Sequence, residues 1–243
     1  MTSANFPTDL IEQLRQYDSA TVANAIEPFN TRDPVTGYAS LELRCLFPKR
    51  PPMVGYAVTC TADTTRPGNT RPLRLTDLVE VVTLAPKPFV LVIQYEGEDR
   101  LRSCFVGDMF AAWLQRLGGV GVVTDGGVRD TVGMESRAPG VQVFATGSVA
   151  SHGSGSFLDF NIPTTICGLT IEPGYLLHGD DNGLISIPAA VAPAIPKQCE
   201  MIVEEEAAFF EFLQADGFSA PALREKLANH DERMQAPPQK EEG

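Results

Sequence analysis

The central part of this sequence alternates short apolar runs with amphipathic stretches, and this alternation constrains the fold more than any other feature. Residues 54–60 alternate large and small side chains, which predicts a strand. Residues 89–93 form a continuous apolar run rich in β-branched residues, which predicts a buried strand. Two helices and two more strands are predicted around them, over 76–84, 107–117, 121–124 and 141–144. Strands that alternate with helices in this way indicate an α/β core.

The two ends of the chain show residue patterns that differ from the central part. Residues 8–27 show helical spacing, in one piece or two. From residue 162 onward the pattern predicts short strands joined by turns, and then one long amphipathic helix over 189–215. Two polar segments with glycine, 63–74 and 153–155, predict loops.

The composition bounds the number of domains. The chain has 243 residues, and 43% of them are hydrophobic, which is enough for one compact core. We therefore expect a single α/β domain over residues 1–215. A polar C-terminal extension follows over 216–243, and the tail beyond Ala220 is expected to be loose.

Charge and apolar runs argue against several classes of protein. The 19 basic and 31 acidic side chains give a net charge of −12, which argues against nucleic acid as a partner. No apolar run is long enough for a membrane span, and we expect no secretory signal. The five cysteines are odd in number and none has CxxC spacing, which indicates reduced thiols in a cytoplasmic protein. A catalytic thiol stays open, although no motif marks one.

Several common catalytic motifs are missing. The sequence contains no GxSxG nucleophile elbow, no P-loop and no GxGxxG turn. The three histidines, His152, His178 and His230, share no metal-ligand spacing, so each is expected to be a surface or loop residue and a zinc site is disfavoured. The five lysines lie beside prolines or in the polar C-terminal part, which disfavours a Schiff-base lysine.

After these exclusions, the candidate catalytic and binding residues are carboxylates and arginines near glycine-rich turns. Gly107 and Asp108 begin a predicted helix, whose free N–H groups favour a bound carboxylate; alternatively, Asp108 only caps the helix. Arg129 and Asp130 follow a predicted strand and the Asp125-Gly126-Gly127 turn, which we expect to require both glycines. The alternative for this second pair is an ordinary surface ion pair.

These segments resemble the RraA-like family. Gly107-Asp108 and LGGVGVVTDGGVRD (117–130) look like its central motif, and the resemblance covers about 55–215, with further similarity at 19–26. The family includes 4-hydroxy-4-methyl-2-oxoglutarate/4-carboxy-4-hydroxy-2-oxoadipate aldolases and the regulator of ribonuclease activity A. The resemblance implies an α/β/α sandwich of the swivelling-domain type. It also implies a homotrimer or hexamer with active sites between subunits.

The resemblance also implies roles for individual residues. Asp130 would hold Mg²⁺ or Mn²⁺, and Arg129 would bind the keto oxygen of a pyruvate-like group. Asp108 would lie near the metal, connected to it by water, and act in proton transfer. The turn at Gly107 and the N–H groups of Met109 and Phe110 would bind the substrate carboxylate.

A carboxylate from the C-terminal helix of the adjacent subunit completes the family site. Glu206, in the acidic run 204–206, is the preferred candidate, and a solvated charge run is the alternative. Asn24 stands where the aldolases have an acid near the first helix, and is expected to contact substrate. The insert at 95–106 is a second departure from the family.

The function that this resemblance implies is a divalent-metal-dependent lyase. It would cleave a 4-hydroxy-2-keto acid to pyruvate and a second keto acid, and would also decarboxylate oxaloacetate. Two alternatives stay open. One is a non-catalytic regulator that binds a ribonuclease or another protein. The other is a related metal lyase for a different keto or sugar acid, which Asn24 and the insert would favour.

Overall fold

A computed structural model of the protein describes residues 6–65 and 74–234, and side chains through residue 228. Most of the loop predicted over 63–74 and the last nine residues of the C-terminal extension therefore lie outside the described residues. Within the described part, the α-helices are α1 (Thr8–Leu14), α2 (Ser19–Ile26), α3 (Leu75–Leu84), α4 (Asp108–Arg116), α5 (Thr131–Arg137), α6 (Ile195–Gln214) and α7 (Ala220–Met234). The first six strands are β1 (Arg44–Cys45), β2 (Met53–Asp63), β3 (Phe89–Tyr95), β4 (Gly119–Thr124), β5 (Gly127–Val128) and β6 (Gln142–Ala145). The others are β7 (Gly147–Ser148), β8 (Ser156–Phe160), β9 (Thr164–Ile166), β10 (Leu169–Ile171), β11 (Leu176–Asp180) and β12 (Gly183–Ile187).

The main sheet has the strand order β1-β6-β4-β3-β2-β11-β12, with β8 also paired to β2. Strands β2, β3, β4 and β6 run parallel, so the segments that follow them emerge at one end of the sheet. The segment 38–45 contacts both sheet edges, because Tyr38 bridges to Ile185 of β12 while β1 pairs with β6. The sheet is therefore nearly closed, like a barrel.

The helices cover one face of this sheet. Alternate residues of β2, such as Val58 and Cys60, pack in a core shared with α3, α4 and α5. Helices α1, α2 and α6 pack against β11, β12 and the start of β2. The opposite face carries Ala57 and Val92 and packs against the β9–β10 hairpin. The sheet thus separates two apolar clusters under the helices from a third on the opposite face, and this arrangement of helices on a mixed sheet confirms the predicted α/β class.

The helical region at 8–27, predicted in one piece or two, is two helices, because the Asp18 carboxylate accepts the Thr21 N–H and caps α2. Two other local predictions differ from the structure. Strand β8 follows the glycines of 153–155 directly and was not predicted. The extension, predicted to be loose beyond Ala220, contains α7; there Lys226 lies over the Phe212 ring at 5.6 Å. Its composition is polar, but Ala, Leu, Arg, Glu and Lys are strong helix formers.

The prediction for His178 was wrong, because this side chain is fully buried in β11. Its Nδ1 lies 3.0 Å from the Ser19 hydroxyl, and its Nε2 lies 3.1 Å from the Tyr17 carbonyl oxygen. These contacts join the turn between α1 and α2 to the sheet. A polar residue of this kind is buried when its ring nitrogens are satisfied. His152, in contrast, lies in an exposed loop as predicted.

Candidate active site

The turn after β4 brings the Arg129-Asp130 pair to the end of the parallel strands. The Arg129 N–H donates to the Val106 carbonyl at 2.9 Å, which places the pair beside the segment that enters α4. Gly126 packs against the Tyr95 ring, where an added Cβ would collide, and a Cβ on Gly127 would lie 3.0 Å from Val149. Both glycines are therefore needed for close packing, and neither has a positive φ.

Asp130 has an uncommon backbone conformation. Its φ of 56° and ψ of 35° are left-handed, and it precedes α5 without capping it through its side chain. The carboxylate Oδ2 instead lies 3.3 Å from the Nε of Arg129, and both side chains are partly exposed. A Cβ on Gly107 would lie 2.8 Å from this Oδ2 and 3.3 Å from that Nε. The pair therefore packs directly over the Gly107 backbone.

Asp108 lies at the start of α4, next to the same glycine. Its Oδ1 accepts the N–H of Met109 at 2.7 Å, and its Oδ2 forms an ion pair with Arg137 at the end of α5. The Asp108 side chain is 15% exposed, whereas that of Arg137 is 63% exposed. A Cβ on Gly133 would lie 2.5 Å from the Asp108 carboxylate, so this glycine leaves space for the ion pair.

Sequence reasoning missed Arg137. It is the last residue of α5, seven residues after Asp130. Its partner Asp108 lies 29 residues away in the chain, and nothing local in the sequence indicates that contact.

The remaining predicted site residues are Met109 and Phe110 on α4, and Asn24 and Glu206 on other helices. Phe110 is buried, and its N–H makes no hydrogen bond with the described part of the chain. Met109 follows Asp108 in the chain and Val132 is two residues after Asp130, and their side chains are 80% and 81% exposed. We call these two exposed apolar side chains the apolar rim. Asn24 on α2 and Glu206 on α6 are exposed, and no hydrogen bond or ion pair between described residues joins either to Arg129 or Asp130.

Two titratable groups near the site have shifted pKa values. Burial raises the pKa of the Cys104 thiol, so this thiol stays protonated at neutral pH and is a poor nucleophile. Burial also raises the pKa of Asp125, opposed by the Tyr95 N–H that its carboxylate accepts and by the nearby Arg100. Asp125 is thus a structural link between the ends of β3 and β4.

The donor set fits a hard divalent cation. Asp130 and Asp108 supply two carboxylates, and no group of three His, Cys, Asp or Glu side chains in the described ranges converges as a closed metal site would require. Mg²⁺ binds through one or two carboxylates while it keeps water ligands and accepts substrate oxygens. A structural zinc site needs four protein ligands, which this arrangement does not offer.

Residues 9–186 match the family model described as RraA-like: Aldolase/RraA. The chain belongs to the RraA-like family. This match covers the β4 turn, Arg129, Asp130, Asp108 and Arg137, and it confirms the resemblance of the central motif. The family assignment also agrees with the nearly closed mixed sheet.

Two curated relatives carry the name "Putative 4-hydroxy-4-methyl-2-oxoglutarate aldolase". The protein of Stutzerimonas stutzeri is 35% identical over 97 residues, which are 40% of this chain and 59% of that protein. The protein of Ectopseudomonas mendocina is 34% identical over 113 residues, 46% of this chain and 68% of that protein. The aligned part thus spans less than two thirds of the first relative.

Two solved structures share the fold. An uncharacterized protein from Pseudomonas syringae has a TM-score of 0.71 at 18% identity, and the match covers 93% of this chain and 97% of that one. Streptomyces coelicolor RraAS2 is described as an unusual member of the RNase ES inhibitor RraA family. It has a TM-score of 0.64 at 23% identity, and the match covers 86% of this chain and 98% of that one.

None of the helices in the described ranges combines the length and the apolar character that a membrane span requires.

Proposed function

We propose that this RraA-like protein is a divalent-metal-dependent lyase for 4-hydroxy-2-keto acids of the 4-hydroxy-4-methyl-2-oxoglutarate type. The observation that carries the proposal is the packing of the Asp130 carboxylate and the Arg129 guanidinium over Gly107, with Asp108 beside them. A strained, partly exposed carboxylate that does not cap its helix is typical of a functional site. The names of the curated relatives support the same reaction class.

Asp130 would hold Mg²⁺ or Mn²⁺. When bound, such an ion supplies Lewis-acid stabilisation of the keto and carboxylate oxygens of a 2-keto acid. Arg129, already directed at Asp130, would donate hydrogen bonds to the keto oxygen. Because negative charge grows on this oxygen as the enolate forms, the guanidinium would stabilise the transition state more than the ground state. The exposed start of α4, with the Phe110 N–H, would take the substrate carboxylate.

Asp108 is suited to proton transfer. Its carboxylate is mostly covered, forms an ion pair with Arg137 and lies beside the Arg129-Asp130 pair. In the cleavage, the C4 hydroxyl would lose its proton, the C3–C4 bond would break, and its electron pair would form the pyruvate enolate. C4 becomes the carbonyl of the second keto acid, and the enolate is then protonated at C3. Oxaloacetate gives the same enolate when it loses CO₂, so decarboxylation belongs to the proposal.

The complete site would include a second copy of the chain. Glu206 and Asn24 are exposed and form no hydrogen bond or ion pair with Arg129 among the described residues, so they would serve a neighbouring subunit of a homotrimer or hexamer. Exposed apolar side chains on α6, such as Met201 and Phe210, support burial of this helix against another copy. The five free thiols fit a reducing compartment such as the cytoplasm.

The net charge of −12 favours one second candidate, a non-catalytic protein that binds a basic partner. The two functions differ in their requirement for Asp130. A lyase for a different keto or sugar acid would share the requirement and differ only in substrate.

Substitution of Asp130→Asn tests the proposal. We expect Mn²⁺ binding to be lost and pyruvate formation to fall by roughly 10²-fold or more, because charge stabilisation of the enolate is removed. Isothermal titration would measure binding, and a coupled assay would measure pyruvate. Asp99→Asn is the matched control, because Asp99 is an exposed acid paired to Arg102 at 3.2 Å. Unchanged metal binding and activity in Asp130→Asn would refute the assignment.

A further inference from the structure

The contact between Arg137 and Asp108 joins two residues of unequal exposure. The Asp108 carboxylate is mostly covered, whereas the Arg137 side chain is 63% exposed. Because the Arg137 guanidinium is the exposed partner, it can be reached by an anion that enters from solvent while it stays close to Asp108.

The helix that carries Arg137 is built around this contact. Gly133 lies one turn before Arg137 on α5, and a Cβ there would lie 2.5 Å from the Asp108 Oδ2 and 2.8 Å from the Arg137 Nη1. Glycine inside a helix costs about 1 kcal/mol relative to alanine. The space above Gly133 is what allows the Arg137 guanidinium to reach across to α4.

The charges of the site point to the ligand that it accepts. Asp108, Asp130, Arg129 and Arg137 together have no net charge, since two carboxylates balance two guanidinium groups. A divalent cation at Asp130 would leave a surplus of two positive charges. The ligand that restores neutrality is a dianion. Arg129 pairs with Asp130 at the keto end of the site, which leaves Arg137 for a second anionic group.

We propose that Arg137 binds the second carboxylate of the substrate and makes the site selective for 2-keto dicarboxylates over 2-keto monocarboxylates. This inference rests on the proposed lyase function. Arginine binds a carboxylate through two parallel hydrogen bonds, a geometry that lysine lacks. When the substrate carboxylate takes the guanidinium, Asp108 is released from its ion pair and becomes free to accept the C4 hydroxyl proton. The apolar rim of Met109 and Val132 would face the carbon chain.

A comparison of two substrates tests the proposal. 4-Hydroxy-4-methyl-2-oxoglutarate carries the second carboxylate, and 4-hydroxy-2-oxopentanoate does not. We expect Arg137→Gln to lower the ratio of their kcat/KM values by about tenfold or more, because a charged hydrogen-bonding partner is lost for one substrate only. Arg137→Lys should recover part of the ratio. A purely structural role through Asp108 would lower both kcat/KM values equally and leave the ratio unchanged, which would overturn the proposal.

Arg116→Gln is the matched control, because Arg116 is an exposed arginine in the last turn of α4. This substitution should leave the ratio as in the wild type. An equal fall in Arg116→Gln and Arg137→Gln would show a general field effect and would also overturn the proposal.

A binding measurement separates this inference from the lyase proposal. 2-Oxoglutarate and 2-oxopentanoate have no 4-hydroxyl group, and only the first has a second carboxylate. With Mg²⁺ present, we expect calorimetry to show tighter binding of 2-oxoglutarate to the wild type and equal binding of both to Arg137→Gln. That result without turnover would refute the lyase and keep the role of Arg137. Turnover with equal binding of both ligands to the wild type would refute only the role of Arg137.

Discussion

Asp130 combines an unfavourable backbone conformation with an exposed charge, and it is the residue on which the account depends most. A non-glycine residue in the left-handed region costs about 1 kcal/mol or more, although Asp tolerates it better than most. The conformation turns the carboxylate away from α5 and toward Arg129 and Gly107. The strained backbone thus positions the carboxylate that we propose as the metal ligand.

Arg129 gives the prediction at the residue scale. Arg129→Ala removes a donor to the developing enolate oxygen, so we expect kcat/KM to fall by about 10²–10³-fold, equivalent to about 2–4 kcal/mol. Steady-state kinetics with oxaloacetate would measure the change, and metal binding should persist because Asp130 is intact. If the kinetics of the variant matched the wild type, Arg129 would not belong to the site.

Some residues of the candidate site could be predicted from the sequence, and one could not. Arg129, Asp130 and Asp108 were accessible because each lies beside a glycine turn or a helix start, which local sequence reveals. Arg137 was not, because its role depends on a contact across two helices.

At the scale of elements, the β4 turn shows how packing can determine sequence. The turn was predicted to need two glycines, and the structure explains the need by the Tyr95 ring and the Val149 side chain. Tyr95 is itself buried, and its hydroxyl accepts the Phe105 N–H at 2.6 Å. The ring therefore has little freedom to move away from Gly126.

Gly126→Ala tests this explanation. The added methyl group would meet the Tyr95 ring in a fully packed region, so we expect a loss of about 1–3 kcal/mol in the free energy of unfolding. Urea denaturation would measure the loss. Gly217→Ala is the control, since a Cβ at Gly217 has no atom within 4 Å. Equal stability of Gly126→Ala and the wild type would mean that the glycine serves another purpose.

Elements with strong periodicity were predicted well, and short or unusual ones were not. Strand β2 was found from its alternation of large and small side chains, and β3 and β4 were found from short apolar runs rich in β-branched residues. Strand β8 was missed because the glycines before it predict a loop. Helix α7 was missed because its residues form a helix by intrinsic propensity while the apolar pattern is weak.

At the scale of the whole molecule, closure of the sheet depends on long-range pairing. Tyr38 pairs with Ile185, and Arg44 pairs with Ala145. Neither pairing has a local signal, so the α/β class could be predicted from the sequence but the nearly closed shape could not. The buried His178 was unpredictable for the same reason, because Ser19 and the Tyr17 carbonyl reach it from the N-terminal helices.

His178 makes the stability of the molecule depend on pH. Burial lowers its pKa from the ordinary 6.5, with Asp180 and two backbone carbonyls opposing the shift. The unfolded chain therefore binds this proton more readily than the folded protein. The stabilisation from neutral His178 is present above pH 6.5 and is lost as the pH falls below that value. We expect urea unfolding at pH 5.5 to show lower stability than at pH 7.5.

A pair of variants identifies the source of this dependence. His178→Gln should reduce the difference in unfolding free energy between the two pH values, whereas His152→Gln should preserve it, because His152 is exposed in a loop. A pH dependence that is the same in His178→Gln and the wild type would assign the effect to other groups.

The most direct test of the central claim is the release of pyruvate from 4-hydroxy-4-methyl-2-oxoglutarate and from oxaloacetate. Each substrate should be assayed with Mg²⁺, with Mn²⁺ and with EDTA. We expect turnover of both substrates with either metal ion, and none after EDTA treatment. Turnover that EDTA leaves unchanged would contradict the metal dependence. Absence of turnover together with absence of metal binding would contradict the lyase and favour a protein-binding function.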